Sequence, residues 1–274
     1  MEIIVLLIVG AFICGFIDSS LGMMYGTILS PALIISGFDP IVVVPAILFS
    51  QAIGGSVAGA FHHKLKNADF SLKSKNPKTI IKKIKKLGWL ESFKKGTTKD
   101  FKIVSAVSIF GIVATIFSVL IAVNLSKDFL KIYIGILVIF MGVILLLKPA
   151  FKFSWGKIGI ISIISAFNKG LSGGGFGPVI TSGQIIAGRS AKSSIGATAF
   201  AKVPICIIGF LAYMITRGIS DWNLVFSLSI GAALAAPFGS KLTASFKSEQ
   251  KIKFSLGILS IIAGTWILIK TGLI

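Results

Sequence analysis

The chain has 274 residues, a mean hydropathy of +0.94, 54% hydrophobic and 14% charged residues, and a formal net charge of +19. So few charges cannot cover so much apolar surface, which excludes an ordinary soluble domain and fits a chain of bilayer-spanning segments. Nucleic acid is excluded as a partner by where the charge sits. Residues 62–102 hold 13 of the 28 basic residues against Asp69, Glu91 and Asp100, a local net of +10, with little aromatic interleaving beyond Trp89 and a few Phe.

In chain order, apolar runs fall at about 3–17, 27–36, 41–61, 103–124, 129–147, 158–168, 178–187, 193–215, 222–240 and 254–270. The first has no basic segment before it and no small-x-small cleavage site after it, so it reads as a membrane segment rather than a signal peptide. Runs of roughly 17–25 residues span the hydrocarbon as helices. Four of the ten are too short or interrupted, and they form two pairs, 3–17 with 27–36 and 158–168 with 178–187. A glycine-rich stretch splits each pair.

The two pairs are repeats of one another. At an offset of 151 without a gap, residues 16–51 match 167–202 with eight identities, among them Gly22/Gly173, Gly26/Gly177 and Gly37/Gly188. Charge suggests their orientation. Excess lysine marks loop 62–102 as cytoplasmic. If each split pair is a hairpin, the halves are inverted, and Arg189, Lys192, Lys241, Lys247, Lys251 and Lys253 also fall inside, with only Arg217 and Lys270 outside. The expected fold is therefore an all-α integral membrane protein of two homologous, inverted halves. Residues 1–148, with the basic loop 62–102, form the first and 149–274 the second. Each is a glycine-broken helical hairpin plus three long membrane helices.

A helix broken at membrane depth frees backbone groups that lipid cannot satisfy, so a break belongs where it is packed in protein or lines a cavity. Two breaks at matching places in two halves point to a substrate site. The second-half break reads Ser172-Gly173-Gly174-Gly175-Phe176-Gly177-Pro178. Consecutive glycines let successive N–H groups turn toward one point, and Pro178 suits the first turn of the next helix. The free N–H groups and positive dipole end would favour an anion, with Thr181 and Ser182 as hydroxyl donors. Close helix packing is the plainer use of such glycines. The first-half counterpart, Gly22-Met23-Met24-Tyr25-Gly26 with Pro31 beyond, is bulkier, so the half-sites are not equivalent. Tyr25 offers its hydroxyl to a substrate or packs.

Ionisable side chains inside membrane segments suggest function. Asp18 and Lys169 occupy aligned positions with opposite charges, and Lys202 aligns with Gln51. Lys202 would neutralise an anion. Asp18 would take up a proton or pair with Lys169, and Lys169 either approaches the substrate or snorkels to an interface. In the basic loop, residues 78–95 place Ile80, Ile81, Ile84, Leu87, Leu90 and Phe93 at helical spacing among lysines. That suits a helix on the anionic lipid of the cytoplasmic leaflet or a disordered basic tether. His62 and His63 mark the membrane interface. Cys14 and Cys206 read as buried hydrophobes, with no metal-ligand spacing around them. Catalytic carboxylate pairs, a Ser/His/Asp set and a phosphate loop are absent, so neither an enzyme nor a cofactor is expected.

At three stretches the chain resembles the TauE/SafE family of membrane transporters, also called sulfite exporters. These are Gly22 through Gly26 to Pro31, the glycines Gly173 to Gly177, and Gly59-Ala-Phe-His-His-Lys-Leu-Lys-Asn-Ala-Asp69. The resemblance implies two homologous halves and transport of sulfite, organosulfonates or related sulfur-containing anions, often outward. The chain departs from the family pattern in Met23, Met24 and Tyr25 and in the length of its basic loop. The expected reading is a multi-pass cell-membrane protein that binds a small anion by Gly22, Tyr25, Gly26, Gly173, Gly174, Gly175, Gly177, Thr181 and Lys202. Asp18 and Lys169 would couple charge, and the halves would alternate in access. An anion pore, or a scaffold presenting the basic loop, are the other readings.

Overall fold

The computed structural model describes residues 2–71, 96–122, 154–246 and 249–270, with scattered helical positions between 129 and 147. The expected lipid-binding segment 78–95 and the junction at 148/149 lie outside the described residues. Those residues form helices and no β-strand. In chain order they are α1 Glu2–Leu21, α2 Tyr25–Ile35, α3 Pro40–Lys64, α4 Lys99–Ala122, α5 Trp155–Ser172, α6 Phe176–Ile186, α7 Ala191–Arg217, α8 Trp222–Ser245 and α9 Glu249–Lys270. Among them α1, α3, α4, α7 and α8 are long and apolar enough to cross a membrane. Exposed large apolar side chains on them include Leu6, Ile109, Phe117, Ile215 and Phe238. The chain is an all-α, multi-pass membrane protein.

The first arm of each hairpin runs past its apolar run, α1 to Leu21 and α5 to Ser172. The run that ends at Ile17 belongs to a 20-residue helix, long enough for a full span. The helix continues because Asp18, Ser19 and Ser20 are turned inward and buried, so polarity there marks an interior face and not a helix end. The helices α2 and α6 are short, 11 residues each.

Backbone geometry makes the two breaks alike. Gly22 (φ 76°) and Met24 (φ 94°) separate α1 from α2, and Gly173 (φ 70°) and Gly175 (φ 72°) separate α5 from α6. Left-handed backbone costs a methionine more than a glycine. Met24 holds it inside an apolar cluster with Leu21, Met23, Ile185, Ala191 and Ile195, which contains residues of both hairpins. The first hairpin thus reaches with packed methionine the conformation that the second takes with glycine. The starts of α2 and α6, and of α3 and α7, are separated by the same offset that aligns the sequences.

Packing interleaves the repeats. Helix α1 lies along α8, α8 along α3, α3 against α7, α7 against α4, and α4 along α5. The order is the same read from either end when each helix is exchanged for its counterpart. Small residues allow the close approach of α1 and α8: a methyl on Gly231 would overlap the Ile8 carbonyl, and one on Gly15 would stand 3.2 Å from Ala232. This brings both breaks to the middle of the molecule.

Candidate functional site

At each break, side chains from other helices take up carbonyls that the helix end leaves free. At the end of α1, the Ser19 carbonyl accepts from His62 Nε2 (2.9 Å) and the Ser20 carbonyl from Thr243 Oγ1 (2.7 Å). At the end of α5, the Gly170 carbonyl accepts from the Tyr213 hydroxyl (3.0 Å) and the Ser172 carbonyl from Ser30 Oγ (3.0 Å). His62 and Tyr213 are counterparts at the repeat offset, as are Ser19 and Gly170. One capping position is thus filled by two chemistries. Because Nε2 faces a carbonyl, it carries the proton, and Nδ1 accepts from Asn67 Nδ2 (3.0 Å).

The hairpin tips meet at backbone contact. A methyl on Gly26 would overlap the Gly173 carbonyl, and one on Gly177 would sit 2.5 Å from the Gly22 carbonyl oxygen. Only glycine fits either place. Across this contact Thr181 Oγ1 donates to the Gly22 carbonyl (2.8 Å).

Two buried polar pairs join the halves. Lys202 Nζ is paired with Asp18 Oδ2, and Lys169 Nζ donates to Gln51 Oε1 and to the Gly173 carbonyl (3.0 Å). None of these four residues is more than 8% exposed. Since Asp18 aligns with Lys169 and Gln51 with Lys202, the two pairs are the same contact made twice, once as an ion pair and once with a neutral partner. Asp18 therefore pairs with Lys202 and not with Lys169.

The pairs wall a cavity of about 10 Å³, room for one water. Gly22, Tyr25, Gly26, Gly174, Gly175 and Gly177 line it together with Asp18, Lys169 and Lys202. Both short helices begin there, and their N-caps, Met24 and Gly175, give no side-chain cap. By contrast α3, α7 and α8 are capped by Asp39, Ser190 and Asp221. Of the expected N–H donors, that of Gly174 is held by Ser172 Oγ (3.2 Å) and that of Gly175 by Thr27 Oγ1 (3.2 Å). A hydroxyl can turn away and release such a group. Gly173 enters only through its carbonyl, and Thr181 stays off the cavity. Tyr25 lines it, and its hydroxyl lies within hydrogen-bond reach of Ser50 Oγ (2.9 Å) and the Leu228 carbonyl (3.1 Å).

A second cavity of the same size touches Asp18, Gln51 and Lys202, with Gly15, Gly54, Gly55, Ala58, Ala232 and Ala236 around it. Sequence reasoning missed Thr27, Gln51 as a partner, and Thr198. Through Thr198 the cavity wall connects to a polar chain. Gln184 Nε2 donates to Thr198 Oγ1 (2.9 Å), Arg189 to Gln184, and Arg189 is ion-paired with Asp100 at the start of α4. Matching each polar residue with its place in the other repeat would have exposed Gln51. Thr27 and Thr198 have no polar counterpart, and nothing in the sequence marks them.

This is the arrangement of a polytopic membrane transporter, with two broken helices meeting at a charged, buried centre. The chain belongs to the TauE/SafE sulfite exporter family, whose description, "Sulfite exporter TauE/SafE", matches residues 86–267. A curated relative, the probable membrane transporter protein YtnM of Bacillus subtilis (strain 168), is 26% identical over 262 residues, covering 89% of this chain and 76% of that protein. No solved structure matches the chain.

Removing a cap while keeping its shape tests the break directly. Tyr213→Phe leaves the Gly170 carbonyl buried without its donor, and should cost about 1–3 kcal/mol. The measurement is the loss of thermal stability in detergent relative to the parent protein.

Proposed function

We propose that the chain carries a small sulfur-containing oxyanion, sulfite or an organosulfonate, across the bilayer by alternating access, and binds it between the hairpin tips. One observation carries this reading. Two uncapped helix N-termini and two buried ammonium groups converge on a cavity with a single carboxylate. Helix N-termini favour anions through their free N–H groups and dipole, and buried lysines there supply the compensating charge. The family description and the transporter name of the Bacillus subtilis relative support transport of such a substrate.

The cavity is smaller than any sulfur oxyanion, so binding requires the tips to part, with the Gly174 and Gly175 N–H groups released from their hydroxyl partners. That supports a carrier over an open pore. The interleaved halves supply a symmetric pair of elements that can rock about the site, with the halves inverted in the membrane. Glycine at the contacts lets the tips separate and close again without side chains in the way.

In proteoliposomes the parent protein should show saturable sulfite or sulfonate exchange. Lys202→Ala and Gly175→Val should each abolish it with membrane insertion retained, since the first removes an ammonium and the second forces a β-branched residue to φ 72°. The double change Asp18→Asn with Lys202→Gln strands no buried charge and should be equally inactive toward sulfite. Normal exchange in all three would refute the site. For the inverted halves, cysteines introduced by Ser36→Cys and Ser193→Cys should label from opposite faces of the membrane; labelling from the same face would refute that orientation.

A further inference from the structure

We propose that the central site takes up one net negative charge per substrate: a monoanion binds alone, and a dianion binds together with one proton, which Asp18 accepts. This rests on the anion-transport reading and specifies the charge state that the site can hold.

The inference follows from the charges around the cavity. Among its lining residues the formally charged ones are Asp18, Lys169 and Lys202. Lys202 is offset by Asp18, whereas among the described residues Lys169 has only the neutral Gln51 side chain and the Gly173 carbonyl. The centre therefore carries a net +1 in a place where an uncompensated charge is costly. A monoanion at the Lys169 end neutralises it and leaves the Asp18–Lys202 pair intact.

A dianion draws on both ammonium groups, which takes Lys202 from Asp18. The carboxylate is then left buried in the last turn of α1, where the negative end of the helix dipole opposes it. The groups that face it are Cys14 on its own helix, Tyr25 of α2, His62 of α3, Lys169 of α5 and, beside Lys202, Cys206 of α7. The one ionisable side chain of α8, Lys241, is exposed. Lys169 is committed to the substrate, so no second cation replaces Lys202. Asp18 then takes a proton from water onto Oδ2, while the Lys202 N–H turns to a substrate oxygen. The loaded centre holds two ammonium groups, a neutral carboxyl and a dianion, and is neutral. On release the proton leaves Asp18 and the pair with Lys202 re-forms. Asp18 and Lys202 also line the second, water-sized cavity, so the carboxyl can be reached from a side other than the substrate's.

The experiment counts protons. Purified full-length protein in detergent is titrated by calorimetry in buffers of different ionisation enthalpy. The probes are methanesulfonate, a monoanion throughout, and sulfite above neutral pH, a dianion. The expected result is no proton taken up with methanesulfonate, one per bound sulfite, and none with sulfite for Asp18→Asn. Sulfite binding without proton uptake, or equal uptake for both probes, overturns the proposal and leaves the transport site standing. Failure of both probes to bind overturns the site and the proposal together. If Asp18→Asn does not fold, sulfate, a dianion throughout this pH range, replaces sulfite on the parent protein: one proton per bound sulfate is expected, and sulfate bound without proton uptake overturns the proposal.

Discussion

A helix that stops inside a membrane must find partners for its free backbone groups somewhere other than lipid. The protein meets that constraint twice, in the same way. The ends of α1 and α5 are turned toward other helices, whose side chains cap the freed carbonyls: His62 and Thr243 at one, Tyr213 and Ser30 at the other. With the carbonyls taken up, the opposite ends of the gaps, the uncapped starts of α2 and α6, remain aimed at one small cavity. What makes the breaks tolerable also leaves a positive, water-sized space between them.

The repeats interleave, with α1 against α8 and α4 against α5, so each break is braced by both halves. The same exchange makes the central contact twice: Asp18 with Lys202, and Lys169 with Gln51. Symmetry of position with asymmetry of charge gives the centre an ion pair at one end and an ammonium with neutral partners at the other. In the proposed function that extra cation is where an anion begins to bind. The Arg189–Asp100 pair and the Gln184–Thr198 contact extend this polar interior to the start of α4.

Much of this was legible in the residues. The long third and later spans, the paired breaks and the glycines Gly22, Gly26, Gly173, Gly174, Gly175 and Gly177 all follow from hydropathy and the gapless repeat. So does the placing of Asp18, Lys169 and Lys202 inside membrane helices, because ionisable groups in apolar runs stand out. The pairing did not follow: sequence alignment put Asp18 opposite Lys169, whereas interleaving brings each to the partner's third helix. The continuation of α1 past Ile17 was hidden because inward-facing Ser19 and Ser20 look like a helix end when only hydropathy is counted. Nor did Met24 suggest a left-handed backbone, since packing and not residue type holds it there. Tyr213 and His62 share no chemistry that would align them; only the carbonyls they cap reveal the common role.

The central claim is that an anion lies between the two hairpin tips, and locating one there tests it most directly. Selenite is an isostere of sulfite whose selenium scatters X-rays anomalously. Crystals grown in saturating selenite should show one anomalous peak within hydrogen-bond reach of Lys169 Nζ and the Gly175 N–H, with the contact of Gly26 and Gly173 opened. A peak elsewhere, or none with the tips still in contact, would contradict the account.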